Sequence, residues 1–355
     1  MQKKHVAFLL KKPGTLNALV PEEVATPIPS GESVLLKVLS VGICHSDLHR
    51  WKGELPCPEG RRAGAGTHEV VGSIVAKGER VPDNVKEGQK VLLDPVGVYV
   101  EEDKYIRKGL THHSKKNLHF GGGMQEFVLV PSYRGFVSLE GLDDVHAAAP
   151  LGCAARTTYG AVKKTISYVE PDDYVAVIGL GGLGCYAAQW VKLFMPHANL
   201  IGIDVRDDAL DFASKLAKID MVINAAKEDP IKTINEVTKG DGAKAVIDLV
   251  ANAKTIPVYV KTISHLGIYV LVGVAGREVL LPEIPALITK EATIQGSFMG
   301  SLTELYEVAT LARKKLLNYR DVITKRLKFD VNEVNEAFKD LDEGKVLGRQ
   351  IVVLE

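Results

Sequence analysis

Tyr174-Val175-Ala176-Val177-Ile178-Gly179-Leu180-Gly181-Gly182-Leu183-Gly184 is five apolar residues running into the spacing G-x-G-x-x-G, and a helix-periodic stretch, residues 183–195, continues from it. The reading is strand, tight turn, helix. Gly179 permits the turn, Gly181 lets backbone approach a pyrophosphate, and Gly184 lets the helix pack closely on the strand. The helix start offers N–H groups and the positive end of its dipole to phosphate oxygens. Glycine turns also link strands to helices where no nucleotide binds, so context decides. Asp204 closes the next strand, residues 200–204, twenty residues after Gly184. A carboxylate there accepts hydrogen bonds from the adenosine ribose and repels a 2′-phosphate, which points to NAD rather than NADP. Arg206, two residues on, tempers that preference.

Outward from this segment the alternation continues. A helix at 207–217 follows, then apolar strands at 221–224, 245–248 and 267–272, with 293–298 as a last strand. Strands apolar throughout and alternating with helices predict a parallel sheet covered on both faces. Upstream the texture differs. Residues 33–41, 72–76, 90–93 and 124–130 read as short strands between Gly and Pro turns, predicting a compact, barrel-like β-domain. From Ser301 two helical stretches lead to a final strand at 350–354.

Composition narrows the class. The chain has 355 residues, enough for two domains, with 46% hydrophobic and 25% charged residues. Its 44 basic and 44 acidic side chains cancel, so nothing argues for nucleic acid or an anionic membrane as partner. The apolar run Val6 to Leu10 stops at Lys11-Lys12-Pro13, too short for a signal-peptide core. No stretch reaches the roughly 18 apolar residues that span a bilayer, so a cytoplasmic location is expected. Four cysteines, Cys44, Cys57, Cys153 and Cys185, form no disulfide framework.

Chemistry-bearing residues cluster in Gly42-Ile43-Cys44-His45-Ser46-Asp47-Leu48-His49, in Gly66-Thr67-His68-Glu69-Val70-Val71-Gly72 and in Leu151-Gly152-Cys153. Two thiolates and one imidazole suit Zn²⁺, and three protein ligands leave the open position of a catalytic rather than a structural site. Spacing alone does not single them out, because no C-x-x-C pair is present and a buried cysteine is more often a small hydrophobe than a ligand.

With the glycine turn, Thr157-Thr158-Tyr159-Gly160 and Gly348-Arg349-Gln350, these segments resemble, in order and over essentially the whole chain, the zinc-containing medium-chain alcohol dehydrogenases, particularly bacterial and archaeal members. The resemblance implies an α/β protein with a GroES-like β-barrel catalytic domain, residues 1–154 and 299–355, and a Rossmann domain with a doubly wound parallel sheet, residues 155–298. It implies reversible hydride transfer between a primary or secondary alcohol and NAD. Cys44, His68 and Cys153 would hold one catalytic zinc, with Glu69 as a further candidate ligand. Ser46 would exchange the substrate hydroxyl proton, His49 would pass it toward solvent, and Asp47 would orient the imidazole of His68. Thr157 would pack on the nicotinamide, His45 and Arg349 would contact the pyrophosphate, and Gly182, Leu183 and Val272 would complete the cofactor site. Zinc would act as a Lewis acid on the alcohol, and the cofactor would carry the redox chemistry.

The chain also departs from its relatives. Residues 97–119 contain no cysteine, so the tetrathiolate structural zinc common in this family is excluded, and one zinc per chain is expected. His112, His113 and His119, with Glu101 or Asp103, make a weaker substitute set than a metal-free lobe does. Cys57 reads as an incidental thiol and Cys185 as buried packing. Val96 replaces a bulky aromatic, which suggests a roomier substrate site. Two neighbouring readings remain: a medium-chain polyol or sugar dehydrogenase, which commonly has a carboxylate where this chain has Cys153, and a zinc-free quinone or enone reductase, which lacks both thiols. The resemblance further implies a homodimer or homotetramer paired through an edge strand such as 293–298. It names neither the alcohol nor the physiological direction.

Overall fold

Among the described residues, the apolar runs pair into three sheets. In chain order the strands are β1 (Lys4–Leu10), β2 (Leu19–Ala25), β3 (Val34–Gly42), β4 (Glu69–Lys77), β5 (Lys90–Leu93), β6 (Phe127–Val130), β7 (Phe136–Ser138), β8 (Tyr174–Ile178), β9 (Asn199–Asp204), β10 (Met221–Asn224), β11 (Ala243–Asp248), β12 (Ile263–Leu271), β13 (Thr293–Gly296), β14 (Ile323–Lys328) and β15 (Arg349–Val353). This computed structural model describes residues 2–15, 17–54, 67–95, 103–114, 122–274 and 278–354. Cys57, Val96, Glu101 and His119 lie outside the described residues. No helix among the described residues is long and apolar enough to cross a membrane.

The first unit comprises Met1–Ala154, Gly300–Lys315 and Tyr319–Glu355. Its larger sheet runs β14-β15-β3-β4-β5-β7 with β6 paired on β3, while β1 and β2 form a separate antiparallel pair. Register shifts between Leu35 and Leu36 and between Val38 and Ser40 interrupt the β3–β4 ladder. Such irregularities increase twist and bend a sheet, as a closed or barrel-like arrangement needs. Register also assembles the site. Gly42 on β3 lies opposite Glu69 on β4 and opposite Ile351 on β15. Cys44, His68 and Arg349 therefore emerge at one end of the three strands. Only glycine fits at position 42: a Cβ there would come within 2.0 Å of Glu69 Oε2.

After β3 the chain turns into the helix His45–Trp51, which the core holds in place. Trp51 is buried, stacks on Phe338 with ring centroids 5.9 Å apart, and donates its indole N–H to Asn335 Oδ1 at 3.2 Å. Both partners sit on the helix Val331–Asp342, whose Val334, Ala337 and Phe338 form its buried face at helical spacing. Burying side chains of this size contributes about 2–3 kcal/mol each.

The second unit comprises Ala155–Met299 and Leu316–Asn318. Its six strands are all parallel, in the order β10-β9-β8-β11-β12-β13. Renumbered from β8 that order is 3-2-1-4-5-6, which reverses direction at β8. β8 and β11 are buried almost throughout, as a strand covered on both faces must be. The helix Gly184–Phe194 lies buried from Gly184 to Val191, and its Trp190 donates to the carbonyl of Ala155 at 2.9 Å. Leu316–Asn318 groups with this unit through a reciprocal pair: Asn318 N–H donates to Gln189 Oε1 and Gln189 Nε2 donates to Asn318 O. The β1–β2 pair, β7 and β14 add to the strands expected from sequence, and the two helical stretches after Ser301 are Leu302–Arg313 and Val331–Asp342 with β14 between them.

Candidate active site

One group of at least three His, Cys, Asp or Glu side chains among the described residues converges closely enough to hold a metal. It is Cys44, His68, Glu69 and Cys153, whose ligand atoms all lie within 4.8 Å of one another. Cys44 precedes the helix His45–Trp51, His68 precedes β4, and Cys153 follows a buried 3-10 stretch, His146–Gly152. Asp47 ties the first two together. Its Oδ2 accepts the backbone N–H of Cys44 at 3.1 Å, and its Oδ1 accepts His68 Nδ1–H at 2.7 Å. A carboxylate only accepts, so that bond assigns Nδ1 a ring hydrogen and makes Nε2 the nitrogen available to coordinate a metal. Two buried thiols, an imidazole of fixed tautomer and a carboxylate fit zinc by their chemistry.

Electrostatics agree with a site built for a cation. The hydrogen bond from the Cys153 thiol, helped by His68, holds Cys44 well below the ordinary thiol range in spite of its burial. Glu69 is fully buried, and burial pushes its pKa up to about 7, against the pull of Arg349. The Arg349 guanidinium donates to Glu69 Oε2 and is itself only 4% exposed. Where the sequence set Arg349 on a cofactor pyrophosphate, the structure pairs it with Glu69.

The remaining residues of the motif line the same helix. His45 is exposed in its first turn, Ser46 is half-buried, and His49 lies one turn further on. His49 Nδ1 meets Glu54 Oε2 at 2.5 Å.

In the second unit the glycines of the turn differ in what they need. Gly179 has φ +88°, and a Cβ on it would lie 2.8 Å from Val250. A Cβ on Gly184 would meet the carbonyl oxygen of Gly179 at 2.2 Å. Gly181 has nothing within 4 Å of such an atom. No internal packing requires glycine at 181, and the open space there suits the close approach of a phosphate group. Asp204 braces the turn: Oδ2 accepts Leu180 N–H at 2.7 Å, and Oδ1 accepts the N–H groups of Val205 and Arg206. Arg206 is turned onto Asp208 through a two-pronged ion pair. Gly182 and Leu183 are half-buried within the turn, Val272 is buried just after β12, and Thr157 hydroxyl contacts Met299 sulfur at 3.7 Å.

Two carboxylates that the sequence did not single out shape these sites. One is Glu54, the partner of His49. The other is Asp248, fully buried at the end of β11, which accepts from Val250 N, Ala251 N, Thr255 Oγ1 and Tyr269 Oη at 2.7–3.0 Å. It fixes the segment that sets Val250 against Gly179. The signal was present, for Ile247-Asp248 closes an apolar strand just as Ile203-Asp204 does. In the lobe before residue 115, Asp103 is engaged by Tyr105 N and Ser114 Oγ, and the rings of His112 and His113 lie 4.1 Å apart.

Known proteins resemble this chain. Residues 30–140 match the family described as alcohol dehydrogenase GroES-like domain, and residues 182–314 match the one described as zinc-binding dehydrogenase. An NAD-dependent alcohol dehydrogenase of Sulfurisphaera tokodaii is 35% identical over 94% of this chain and 95% of its own length. A D-arabinose 1-dehydrogenase (NADP⁺) of Saccharolobus solfataricus is 34% identical over 98% and 97%. The crystal structure of the alcohol dehydrogenase from Aeropyrum pernix superposes with a TM-score of 0.84 at 30% identity, covering 98% of this chain and 99% of that one.

Proposed function

This chain belongs to the zinc-type medium-chain alcohol dehydrogenase family, and from that premise we propose that it is a zinc-dependent enzyme that oxidises a primary or secondary alcohol with NAD, reversibly, using one catalytic zinc per chain. The observation that carries this reading is the convergence of Cys44, His68 and Cys153, with Asp47 fixing the imidazole. When bound, zinc supplies a Lewis acid toward the alcohol hydroxyl and NAD supplies the hydride acceptor that turns the alcohol into a carbonyl compound. The residues do the rest. Cys44, His68 and Cys153 hold the metal, and the buried Glu69–Arg349 pair balances charge behind them. Ser46 takes the hydroxyl proton and hands it to His49, which is partly exposed and releases it to water. The turn 179–184 accommodates the dinucleotide phosphates, and Asp204 addresses the ribose.

The likeness to an NADP⁺-linked D-arabinose 1-dehydrogenase favours a second reading, sugar oxidation, and Cys153 in the ligand set weighs against it. The test is elemental analysis of the purified protein together with kcat/KM for secondary alcohols and for D-arabinose, each with NAD and NADP. One zinc per chain and a preference for alcohol with NAD are expected. A metal-free active protein overturns the zinc assignment, and a preference for the sugar overturns the substrate class. Assembly is part of the proposal: β13 is the last strand of its sheet, and Ile294 and Phe298 beside it are exposed at 38% and 55%. A second copy pairing along this edge would cover them. Ile294→Lys should lower the mass seen in light scattering, and an unchanged mass would place the interface elsewhere.

A further inference from the structure

Glu54 follows the helix His45–Trp51 and turns back onto it, so that its carboxylate reaches His49. We propose that Glu54 is a positioning residue for proton transfer: it holds the hydrogen of His49 on Nδ1 and so leaves Nε2 as the nitrogen that receives the proton from Ser46. This inference rests on the relay role given to His49 above.

Geometry and acceptor chemistry carry it. Glu54 Oε2 lies 2.5 Å from His49 Nδ1. An ionised carboxylate only accepts hydrogen bonds, so Nδ1 must donate. The carboxyl is held in its ionised form, because the bond from His49 and then the one from Lys52 keep its pKa below the ordinary carboxylate range. The same depression makes Glu54 a poor resting place for the proton. His49, with 29% of its side chain exposed, is the group that gives the proton up to water.

Glu54 is itself held in place through its backbone and through Lys52. Glu54 N–H donates to His49 O at 2.9 Å, Lys52 Nζ sits 3.1 Å from Oε1, and the same ammonium reaches Asp342 Oδ1 at 3.0 Å. Asp342 ends the helix that also packs against Trp51. The His49 ring is thereby referenced to the same buried frame that locates Ser46, rather than left to rotate in solvent. A hydrogen bond to one ring nitrogen decides which nitrogen carries the proton. Without Glu54, an exposed imidazole reverts to its ordinary preference for hydrogen on Nε2, and Nε2 can no longer accept.

The test uses the zinc-loaded, full-length protein labelled with ¹⁵N-histidine. Long-range proton–nitrogen spectra report the tautomer of His49, whose resonances are assigned by their loss in His49→Gln. Wild type should show hydrogen on Nδ1, Glu54→Gln should move the population toward Nε2, and Glu54→Asp should restore part of the wild-type pattern. Single-turnover formation of NADH should slow by ~10-fold in Glu54→Gln while the Kd for NAD stays unchanged, a fraction of the ~10²–10⁴-fold that acid–base catalysis supplies. A wild-type ring with hydrogen on Nε2, or Glu54→Gln as fast as wild type while His49→Gln is slow, overturns the proposal. If His49→Gln is also as fast as wild type, the relay reading of His49 falls, and the catalytic half of this proposal falls with it.

Discussion

Asp47 shows how much one buried side chain decides. Its carboxylate holds the backbone of Cys44 and the ring of His68 at once, so a single substitution loosens two of the three thiol and imidazole ligands. Asp47→Asn should weaken zinc binding by about 10–100-fold, measured by competition with a chromogenic chelator. An unchanged affinity would show that the strand ends alone position the ligands. Asp204 also has two tasks on the proposed reading, since the ribose is assigned to it and it accepts Leu180 N–H within the turn. Asp204→Gly should therefore lower kcat/KM with NAD more than it raises the value with NADP. A full exchange of preference without loss would mean that the brace on Leu180 is dispensable. At this scale much was legible. The motif around Cys44 named the residues of its helix because a thiol, a hydroxyl, a carboxylate and an imidazole were contiguous. Glu54 and the Glu69–Arg349 pair were not legible, because each acts through a partner that only register or a turn brings near.

At the level of elements, the glycine turn separates residues that packing requires from one that it does not. Gly184→Ala drives a methyl group into the carbonyl of Gly179 and should destabilise the protein by at least 1 kcal/mol in urea unfolding. Gly181→Ala meets open space and should leave that midpoint unchanged, while weakening NADH binding by about 10-fold in fluorescence titration. Equal effects of both on stability would remove the case for a phosphate at Gly181. The stretch that delivers Cys153 depends on Asp144, whose Oδ1 accepts the N–H groups of His146 and Ala147 and whose Oδ2 pairs with Arg326. Burial works against the charge, yet Arg326 and Ala147 outweigh it and hold the carboxyl below its ordinary 3.8. A lowered folded-state pKa stabilises above the unfolded value and loses that contribution as pH falls through the folded one. Asp144→Asn, which keeps the oxygen that accepts the two N–H groups but loses the ion pair with Arg326, should thus cost at most about 1 kcal/mol at pH 7 and make unfolding less steep with pH below about 3.8. An acid limb identical to wild type would place the acid-sensitive groups elsewhere. Weak apolar patterning accounts for two of the strands that sequence reading left out, β14 and β2. In β14 the run Ile323-Thr324-Lys325-Arg326-Leu327-Lys328 is mostly polar because it is an edge strand, and charge on an edge blurs the alternation that marks a strand. β1 and β2 are a pair apart from the larger sheet, and their second strand, with Pro21, Glu22 and Glu23, carries little apolar signal.

For the molecule as a whole, the parallel sheet was legible from strand–helix alternation alone, while the first unit needed pairing between residues hundreds of positions apart. β15 joins β3 across the length of the chain, and no local pattern encodes that partnership. On the proposed zinc site, the same long-range closure would make the first unit the one that depends on metal. Cys44, His68 and Cys153 come from three separate segments, and a bound ion would tie them together in the folded chain only. A ligand held at 100 times its Kd stabilises by about 2.7 kcal/mol. Removing zinc with a chelator should therefore raise amide hydrogen exchange at the end of β3, in the helix His45–Trp51, at the start of β4 and in His146–Gly152. Amides of β8, β9, β11 and β12 should keep their protection, because no residue of those strands belongs to the ligand group. Mass spectrometry of peptides quenched with and without chelator reads both sets in one experiment. Exchange that rises equally in the parallel sheet would mean that zinc supports the folding of the entire chain, and exchange that rises nowhere would mean that Cys44, His68 and Cys153 hold no structural load through the metal.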